Sequence, residues 1–214
     1  MTMEKVVLFG AGGSGKEMIQ LINRINQNEQ MIDLVGFVDD TESKQGQTIY
    51  GIPVLGRTEW LEEHKSEVKC VVTLGHMDGR VAVCNRLEKL GVQFTNLIDP
   101  SVSIGLDVTI GYDCIINEGC QIPVHISIGN HVYLNSNISL GHDDVIGDCT
   151  ICNPGISISG NCTIGKAVMI GGHSFIVEKA IVGDNAVIAP GSIVYGKVKE
   201  NTHVMGNPAR KIDL

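Results

Sequence analysis

Aromatic side chains are scarce in this sequence: 4% of its 214 residues are Phe, Trp or Tyr, and only one is Trp. Basic residues are also few, since 16 Lys and Arg face 24 Asp and Glu for a net charge of −8. An acidic chain of this kind lacks the basic surface that binds nucleic acids or acidic membranes. No hydrophobic run is long enough for a signal peptide or a membrane span. We therefore expect a cytoplasmic protein that binds no nucleic acid and does not insert into membranes.

The most regular feature of the sequence is an aliphatic residue at every sixth position. From Ile98 to Val194 every sixth residue is Ile, Leu or Val, with Cys152 the one exception. A helix has a period of about 3.6 residues and a strand a period of about 2, so neither explains this spacing. A parallel β-helix built from hexapeptides does, because each face uses six residues and each coil about eighteen. Stacked aliphatic residues fill such a core without aromatic anchors.

The first 96 residues follow a different pattern. An apolar run at 6–9 precedes a glycine-rich turn and a helical pattern, and further strands are predicted at 33–38, 71–74 and 92–97, with a helix around 81–90. Alternating strands and helices indicate a parallel α/β sheet. We therefore predict two domains. Residues 1–96 form a half-Rossmann α/β domain, and residues 97–214 form an all-β domain, the parallel β-helix, whose tail at 207–212 caps the open end.

The glycine-rich turn is a candidate nucleotide site. Gly10, Gly12 and Gly15 follow a strand and precede a helix, which lets the backbone approach a phosphate at the helix N-terminus. Asp39 or Asp40 could then bind a ribose or a base edge. The motif alone is also compatible with a tight structural turn, and it does not separate NAD from a nucleotide sugar. A domain of this size favours a mononucleotide-linked ligand.

His142 is the main candidate for catalysis, because Asp143 stands beside it and an anion makes imidazole a better base. A surface histidine among solvated aspartates is the alternative. Counting eighteen residues on places Gly160 above His142, which leaves room over the ring. The column formed by Pro154, Gly172 and Pro190 is small for three coils and could accept a pantetheine chain in a groove between prisms.

The remaining histidines and the cysteines carry weaker signals. His173 is the next candidate base, whereas His125 and His131 are interpreted as surface or interface residues. Their spacing does not fit a trimeric zinc site, so we expect no metal. The seven cysteines should stay reduced in the cytoplasm.

Several motifs, taken together and in order, resemble one known family. They are Val7-Leu-Phe-Gly-Ala-Gly-Gly-Ser-Gly-Lys16, Gly36-Phe-Val-Asp-Asp40, Gly51-Ile-Pro-Val-Leu-Gly56, His142-Asp-Asp-Val-Ile-Gly147 and Gly206-Asn-Pro-Ala-Arg210. The chain resembles sugar O/N-acyltransferases of the sialic acid O-acetyltransferase (NeuD) type, whose relatives N-acetylate UDP-4-amino sugars. The resemblance implies a left-handed β-helix, a homotrimer, and acetyl-CoA as co-substrate.

The resemblance also implies roles for particular residues. His142 would be the general base, and Asp143 would raise its basicity. The nucleotide-linked amino sugar would be held by Gly12, Gly13, Ser14, Asp39, Asp40 and Gly75, and acetyl-CoA would lie along Ile151, Gly160, Gly172 and Pro190. Two positions depart from the family pattern: relatives can have a second histidine where Ile151 stands, and some have histidine at Ser14.

The predicted activity is therefore N-acetylation of a nucleotide-linked amino sugar, a 4-amino-deoxy sugar, for cell-surface glycan biosynthesis. Three alternatives stay open from the sequence: O-acetylation of a sugar or sialic acid, a non-catalytic nucleotide-sugar-binding protein, and an NAD-linked enzyme.

Overall fold

The computed structural model describes residues 3–28 and 31–213. Two compact units follow one another along the chain; the first ends at Pro100 and the second begins at Ser101. The sequence places this boundary near residue 96. In the described parts of the chain, no helix is both long and apolar enough to cross a membrane.

The first unit is an α/β domain around a five-stranded sheet in the order β3-β4-β2-β1-β5. All pairs are parallel except β3 and β4, which are antiparallel. Its elements are β1 (Glu4–Phe9), α1 (Gly13–Asn28), β2 (Ile32–Val38), a 3₁₀ turn (Glu42–Lys44), β3 (Thr48–Ile49), β4 (Ile52–Gly56), α2 (Thr58–His64), β5 (Lys69–Val72), α3 (Met77–Lys89) and β6 (Leu97–Ile98).

The core of this unit follows from the apolar pattern of β1 and α1. Val6, Val7 and Leu8 are fully buried in the central strand. On α1, Met18, Leu21 and Ile22 recur at helical spacing and are also buried. The strand–turn–helix–strand order predicted for residues 6–38 is therefore confirmed.

The sequence gives a poorer account of the middle and the end of this unit. The sequence predicts no strand or helix between residues 38 and 71, yet this stretch holds β3, β4 and α2. These elements are two to seven residues long, too short to show a clear period. The strand expected at 92–97 is reduced to a bridge between Phe94 and Cys70, followed by β6.

The second unit is a parallel β-helix with three faces. The first face holds β7 (Ser103–Leu106), β10 (Gln121–Val124), β15 (Ser157–Ile158), β18 (Phe175–Ile176) and β21 (Ile193–Val194). The second holds β8 (Thr109–Ile110), β11 (Ser127–Ile128), β13 (Val145–Ile146), β16 (Thr163–Ile164), β19 (Ile181–Val182) and β22 (Lys197–Val198). The third holds β9 (Ile115–Ile116), β12 (Tyr133–Leu134), β14 (Ile151–Cys152), β17 (Met169–Ile170), β20 (Val187–Ile188), β23 (His203–Met205) and β24 (Arg210–Ile212).

Stacking by eighteen residues is confirmed by the strand register. Ile128 pairs with Ile146, which pairs with Ile164 on the next coil. The register ends where the sequence period ends, since Val182 pairs with Val198 rather than with residue 200. Beyond it, β24 turns back antiparallel to β23, as expected for a tail that leaves the repeat.

Left-handed backbone positions recur at the corners of the prism. One column consists of Asp107, His125, Asp143, Asn161 and Lys179, with φ between 54° and 65°. Asn, Asp and His adopt this conformation more readily than most residues. The turn chemistry of the corners therefore also decides where polar side chains are stacked.

Candidate functional site

His142 lies at the corner that follows the first face, where that face is interrupted. Ser139 makes only isolated bridges to Gln121 and Ser157 instead of forming a strand. The chain then turns through Gly141, His142 and Asp143 before β13 begins. Asp143 takes the left-handed conformation of this turn, with φ 60°.

The imidazole of His142 is paired with the carboxylate of Asp143. Nδ1 of His142 lies 2.6 Å from Oδ2 of Asp143. A carboxylate can only accept this hydrogen bond, so the proton sits on Nδ1 and the lone pair of the neutral ring is on Nε2. The side chain of His142 is 57% exposed, so a substrate can approach the ring. A carboxylate that holds an imidazole in this way suits a general base.

Gly160 occupies the next coil directly over His142, as the eighteen-residue count predicts. A Cβ on Gly160 would lie 2.7 Å from Nε2 of His142. Backbone hydrogen bonding joins the two coils here, because the N–H of Asn161 donates to the carbonyl of His142 over 2.8 Å. Because Gly160 has no side chain, the ring of His142 can occupy this position.

Asp143 has a second histidine partner that the sequence interpretation missed. Nδ1 of His125 lies 2.5 Å from Oδ1 of Asp143, so the carboxylate is held on both oxygens. The hydrogen bond and charge of Asp143 raise the pKa of His125. The hydrogen bond to His125, and to a lesser extent the one to His142, holds the pKa of Asp143 below its usual range. His125 precedes Asp143 by eighteen residues, and that spacing is the signal that could have found it.

Asp144 is a second feature that the motif alone did not reveal. It points into the core column otherwise formed by Val108, Ile126, Cys162 and Ala180. Its carboxylate accepts hydrogen bonds from the backbone N–H groups of Gly141, over 2.9 Å, and Cys162, over 2.8 Å. Burial nevertheless raises the pKa of Asp144 to about 6. From its position in the core, the carboxyl group of Asp144 stabilises the turn that carries His142.

In the first unit, the predicted nucleotide site is the turn between β1 and α1. A Cβ added to Gly12 or Gly13 would have no neighbour within 4 Å, so both backbones face open space. Gly10 needs its left-handed φ of 116°, and a Cβ on Gly15 would overlap the carbonyl of Gly10. The first turn of α1 has no acidic residue. These properties suit an anion at the helix N-terminus.

Ser14 and Gly75 come together across the ends of β1 and β5. A Cβ on Gly75 would lie 2.8 Å from the hydroxyl oxygen of Ser14. Between them, the hydroxyl of Thr73 lies 3.0 Å from the carbonyl oxygen of Phe9 and 2.9 Å from that of Gly10. Ligands of open α/β sheets bind at this carboxyl edge of the strands.

Asp39 and Asp40 lie at the same edge but already have protein partners. Asp39 accepts from the N–H of Ala11 over 2.8 Å and from the N–H of Thr41 over 2.9 Å, so it supports the glycine turn. Asp40 accepts from Thr58 and forms an ion pair with Arg86 at 2.5 Å. Burial opposes ionisation of Asp40, but these hydrogen bonds outweigh it and lower its pKa. Arg86 was not predicted, because no local pattern connects it to Asp40.

The column of Pro154, Gly172 and Pro190 forms the predicted thin stripe. The N–H of His173 donates to the carbonyl of Pro154, and the N–H of Gly191 donates to that of Gly172, which stacks the three coils. This stripe follows the third face, whereas His142 follows the first. Within one chain the structure therefore places the stripe and His142 at different corners.

Ile151 differs from the other residues predicted to lie along acetyl-CoA. Its side chain belongs to β14, between Tyr133 and Met169, and is 2% exposed. A side chain so buried is not accessible from the surface of the single chain. Its assignment to acetyl-CoA remains a prediction.

The other histidines and cysteines have distinct surroundings. His173 is exposed and stacks over Gly155. His131 is buried against Asp113, with Nδ1 2.6 Å from the carboxylate, so its interpretation as a surface or interface residue does not hold within the single chain.

Cys114, Cys120 and Cys162 are buried. Burial raises the pKa of Cys152 to about 12, which keeps this thiol protonated and unreactive.

Residues 5–87 match the PglD N-terminal domain family. Over its whole length the chain is similar to WeeI from Acinetobacter baumannii AYE, with 27% identity, coverage of 99% of this chain and 100% of that chain, and a TM-score of 0.86. The chain has the fold of the hexapeptide-repeat sugar acyltransferases. No curated protein sequence matches it.

Two further hexapeptide-repeat structures share this fold. One is the acetyltransferase domain of PglB from Neisseria gonorrhoeae FA1090 in complex with acetyl coenzyme A, with 23% identity, 99% and 100% coverage and a TM-score of 0.85. The other is PerB from Caulobacter crescentus in complex with CoA and GDP-perosamine, with 20% identity, 99% coverage of both chains and a TM-score of 0.86. The predicted fold, an α/β domain followed by a left-handed β-helix, is confirmed, and the NeuD type in particular remains a prediction.

Proposed function

We propose that this protein is an acetyl-CoA-dependent N-acetyltransferase that acts on a nucleotide-linked amino sugar, with His142 as the general base. The observation that carries the proposal is the pairing of His142 Nδ1 with Asp143 at 2.6 Å, which leaves the lone pair of the neutral ring on Nε2, next to Gly160. The shared fold with an acetyltransferase domain that binds acetyl coenzyme A supports it.

The proposed reaction is direct transfer within a ternary complex. The sugar amine attacks the thioester carbonyl of acetyl-CoA, and Nε2 of His142 accepts the proton that the nitrogen loses. The tetrahedral intermediate carries a negative oxygen, which a backbone N–H can stabilise. Collapse breaks the C–S bond and expels the CoA thiolate, which takes the proton back from His142. The products are the N-acetyl sugar and free CoA.

The first unit is proposed to bind the nucleotide. The open backbone at Gly12 and Gly13, at the N-terminus of a sixteen-residue helix, suits a diphosphate. Asp39, Asp40, Ser14 and Gly75 lie at the same strand edge and would contact the nucleoside or sugar. PerB binds GDP-perosamine, an example of the nucleotide-sugar class that we propose here. We propose a 4-amino-deoxy sugar as the acceptor.

A homotrimer is part of the proposal. His142 and the Pro154–Gly172–Pro190 stripe lie at different corners of one prism, so acetyl-CoA can reach both most simply in a groove between two copies. Gly160, Gly172 and Pro190 would then line the pantetheine chain, and the thioester would end near Nε2 of His142. The proposal requires no metal ion.

A thiol-release screen tests this function. Acetyl-CoA is offered with UDP-, GDP- and dTDP-linked 4-amino sugars, and free CoA is measured for each pair. We expect one nucleotide sugar to give a kcat/KM well above the others and an N-acetylated product. The matching 4-hydroxy sugars form a second arm, and transfer to those alone would indicate O-acetylation. Binding of a nucleotide sugar without thiol release in either arm would indicate a non-catalytic binding protein, and measurable nicotinamide binding would indicate an NAD-linked enzyme.

A further inference from the structure

Asp143 is the centre of a three-residue bridge across two coils of the β-helix. Its Oδ1 lies 2.5 Å from Nδ1 of His125, one coil below, and its Oδ2 lies 2.6 Å from Nδ1 of His142 on its own turn. Both rings therefore direct the same nitrogen at one carboxylate. Backbone hydrogen bonds fix the coils between them, since His125 donates to the carbonyl of Leu106 and Asp143 to that of Val124.

We propose that His125 is a positioning residue for acyl transfer, because its Nδ1–H holds Oδ1 of Asp143 so that Oδ2 stays directed at Nδ1 of His142. This inference rests on the proposed function, in which His142 is the base. His125 itself touches neither the substrate nor the thioester. It acts through Asp143.

The exposure of this bridge explains why a second donor matters. The side chains of His142 and Asp143 are 57% and 40% exposed, so water competes for their single hydrogen bond. An exposed pair of this kind contributes little on its own and samples other rotamers. A donor on each oxygen fixes the plane of the carboxylate. With that plane fixed, the favoured tautomer of His142 carries its proton on Nδ1 and its lone pair on Nε2.

The backbone at His125 determines which substitutions are informative. Its φ is 55°, a conformation in which alanine would add strain unrelated to the bridge. Asparagine tolerates this conformation, as Asn161 shows in the same column with φ 61°. His125→Asn keeps a donor at the δ position without the charge, whereas His125→Gly removes the donor without backbone strain. Asn185→Gly is the matched control, because it removes a side chain at a left-handed position on another corner.

The kinetic test compares these variants with the wild type on the best acceptor. We expect His125→Gly to lower kcat about tenfold, the cost of roughly one hydrogen bond to a charged group, while the KM for acetyl-CoA stays within about twofold. His125→Asn should restore kcat to within about threefold of the wild type, because the amide N–H still donates to Oδ1 of Asp143. A kcat for His125→Gly equal to that of Asn185→Gly would overturn the proposal. So would equal losses for the Gly and Asn variants.

A spectroscopic test needs no substrate and therefore separates this inference from the proposed function. The ¹⁵N shifts of the His142 ring report which nitrogen carries the proton, and His142→Ala assigns the signals. We expect the Nδ1–H tautomer in the wild type and in His125→Asn, and a mixture of tautomers in His125→Gly. An unchanged tautomer in His125→Gly would contradict the positioning role. Loss of the thiol-release activity with the expected tautomers intact would contradict only the acyltransferase proposal.

Discussion

Gly160 lies over the imidazole of His142, one coil above it, at the distance where a methyl group would collide with the ring. A Cβ at this position would be 2.7 Å from Nε2, 2.8 Å from Cε1 and 3.0 Å from Cδ2. The histidine ring can move, but moving it breaks its alignment with Asp143. The proposed active site therefore requires glycine at position 160, because any larger side chain would displace the ring of His142.

Gly160→Ala should lower activity without unfolding the protein. Its backbone needs no left-handed conformation, so alanine adds no strain there. The added methyl group displaces the ring, and misplacement of a catalytic group by about 1 Å can cost on the order of 10²-fold. We expect kcat/KM to fall by roughly that factor in the thiol-release assay.

The control for this substitution is Gly196→Ala, where an added Cβ meets nothing within 4 Å. It should keep both its activity and its melting temperature. Retention of wild-type kcat/KM by Gly160→Ala would mean that Nε2 of His142 is not the reacting atom.

Asp144 should make stability fall as pH rises through the weakly acidic range. Burial raises its pKa from the ordinary 3.8 to about 6, so the folded protein binds this proton more tightly than the unfolded chain does. The stability that this proton contributes is complete below about pH 4 and is lost as the pH passes about 6. Other carboxyl groups titrate over the same range, so the effect is measured as a difference between two proteins.

The comparison is with Asp144→Asn, by urea unfolding at several pH values between 4 and 7. The variant loses one acceptor for the N–H of Gly141 or Cys162, so we expect it to be less stable throughout. Its deficit should shrink as the pH rises, because only the wild type loses stability through this carboxyl. A deficit that grows with pH would show that the folded-state pKa of Asp144 is lowered instead.

Asp39 should support nucleotide binding through the glycine turn. Its carboxylate accepts from the N–H groups of Ala11 and Thr41, and Asp39→Ala removes both bonds. We expect the Kd for GDP or UDP, whichever the wild type binds, to rise about tenfold, the cost of roughly one charged hydrogen bond. The Kd for acetyl-CoA should not change. Calorimetric titration measures both.

Asp33→Ala is the charge-matched control, since it removes an exposed carboxylate from β2, the strand that Asp39 follows. It should leave the nucleotide Kd within about twofold, as screened surface charges do. Equal effects of the two substitutions would indicate a general charge effect and no local support of the turn.

The period-six pattern predicts more of this protein than a secondary-structure pattern usually does. From Ile116 to Val194 each hexad contributes one buried aliphatic residue or, at Cys152, a buried thiol. The spacing therefore predicts both the strand positions and the residues that stack above one another. Counting by eighteen places Gly160 over His142 and stacks Gly172 between Pro154 and Pro190. The same count also relates His125 to Asp143, although its offset in the repeat led to its interpretation as a surface or interface residue.

The rest depends on contacts that no local pattern encodes. Arg86 reaches Asp40 from 46 positions away along the chain, and only the folded sheet brings them together. The short elements β3, β4 and α2 are held by their neighbours and not by their own periodicity. Asp144 lies in an otherwise apolar column, where its backbone partners on two coils can be seen only in the structure.

The most direct test of the central claim is the kinetics of His142→Ala, with acetyl-CoA binding measured on the same preparation. If His142 is the general base, kcat should fall by about 10²- to 10⁴-fold while the Kd for acetyl-CoA stays within about twofold. His173→Asn, which suits the left-handed backbone at that position, should keep its kcat. Near-wild-type turnover by His142→Ala, or the large loss appearing in His173→Asn instead, would contradict the assignment.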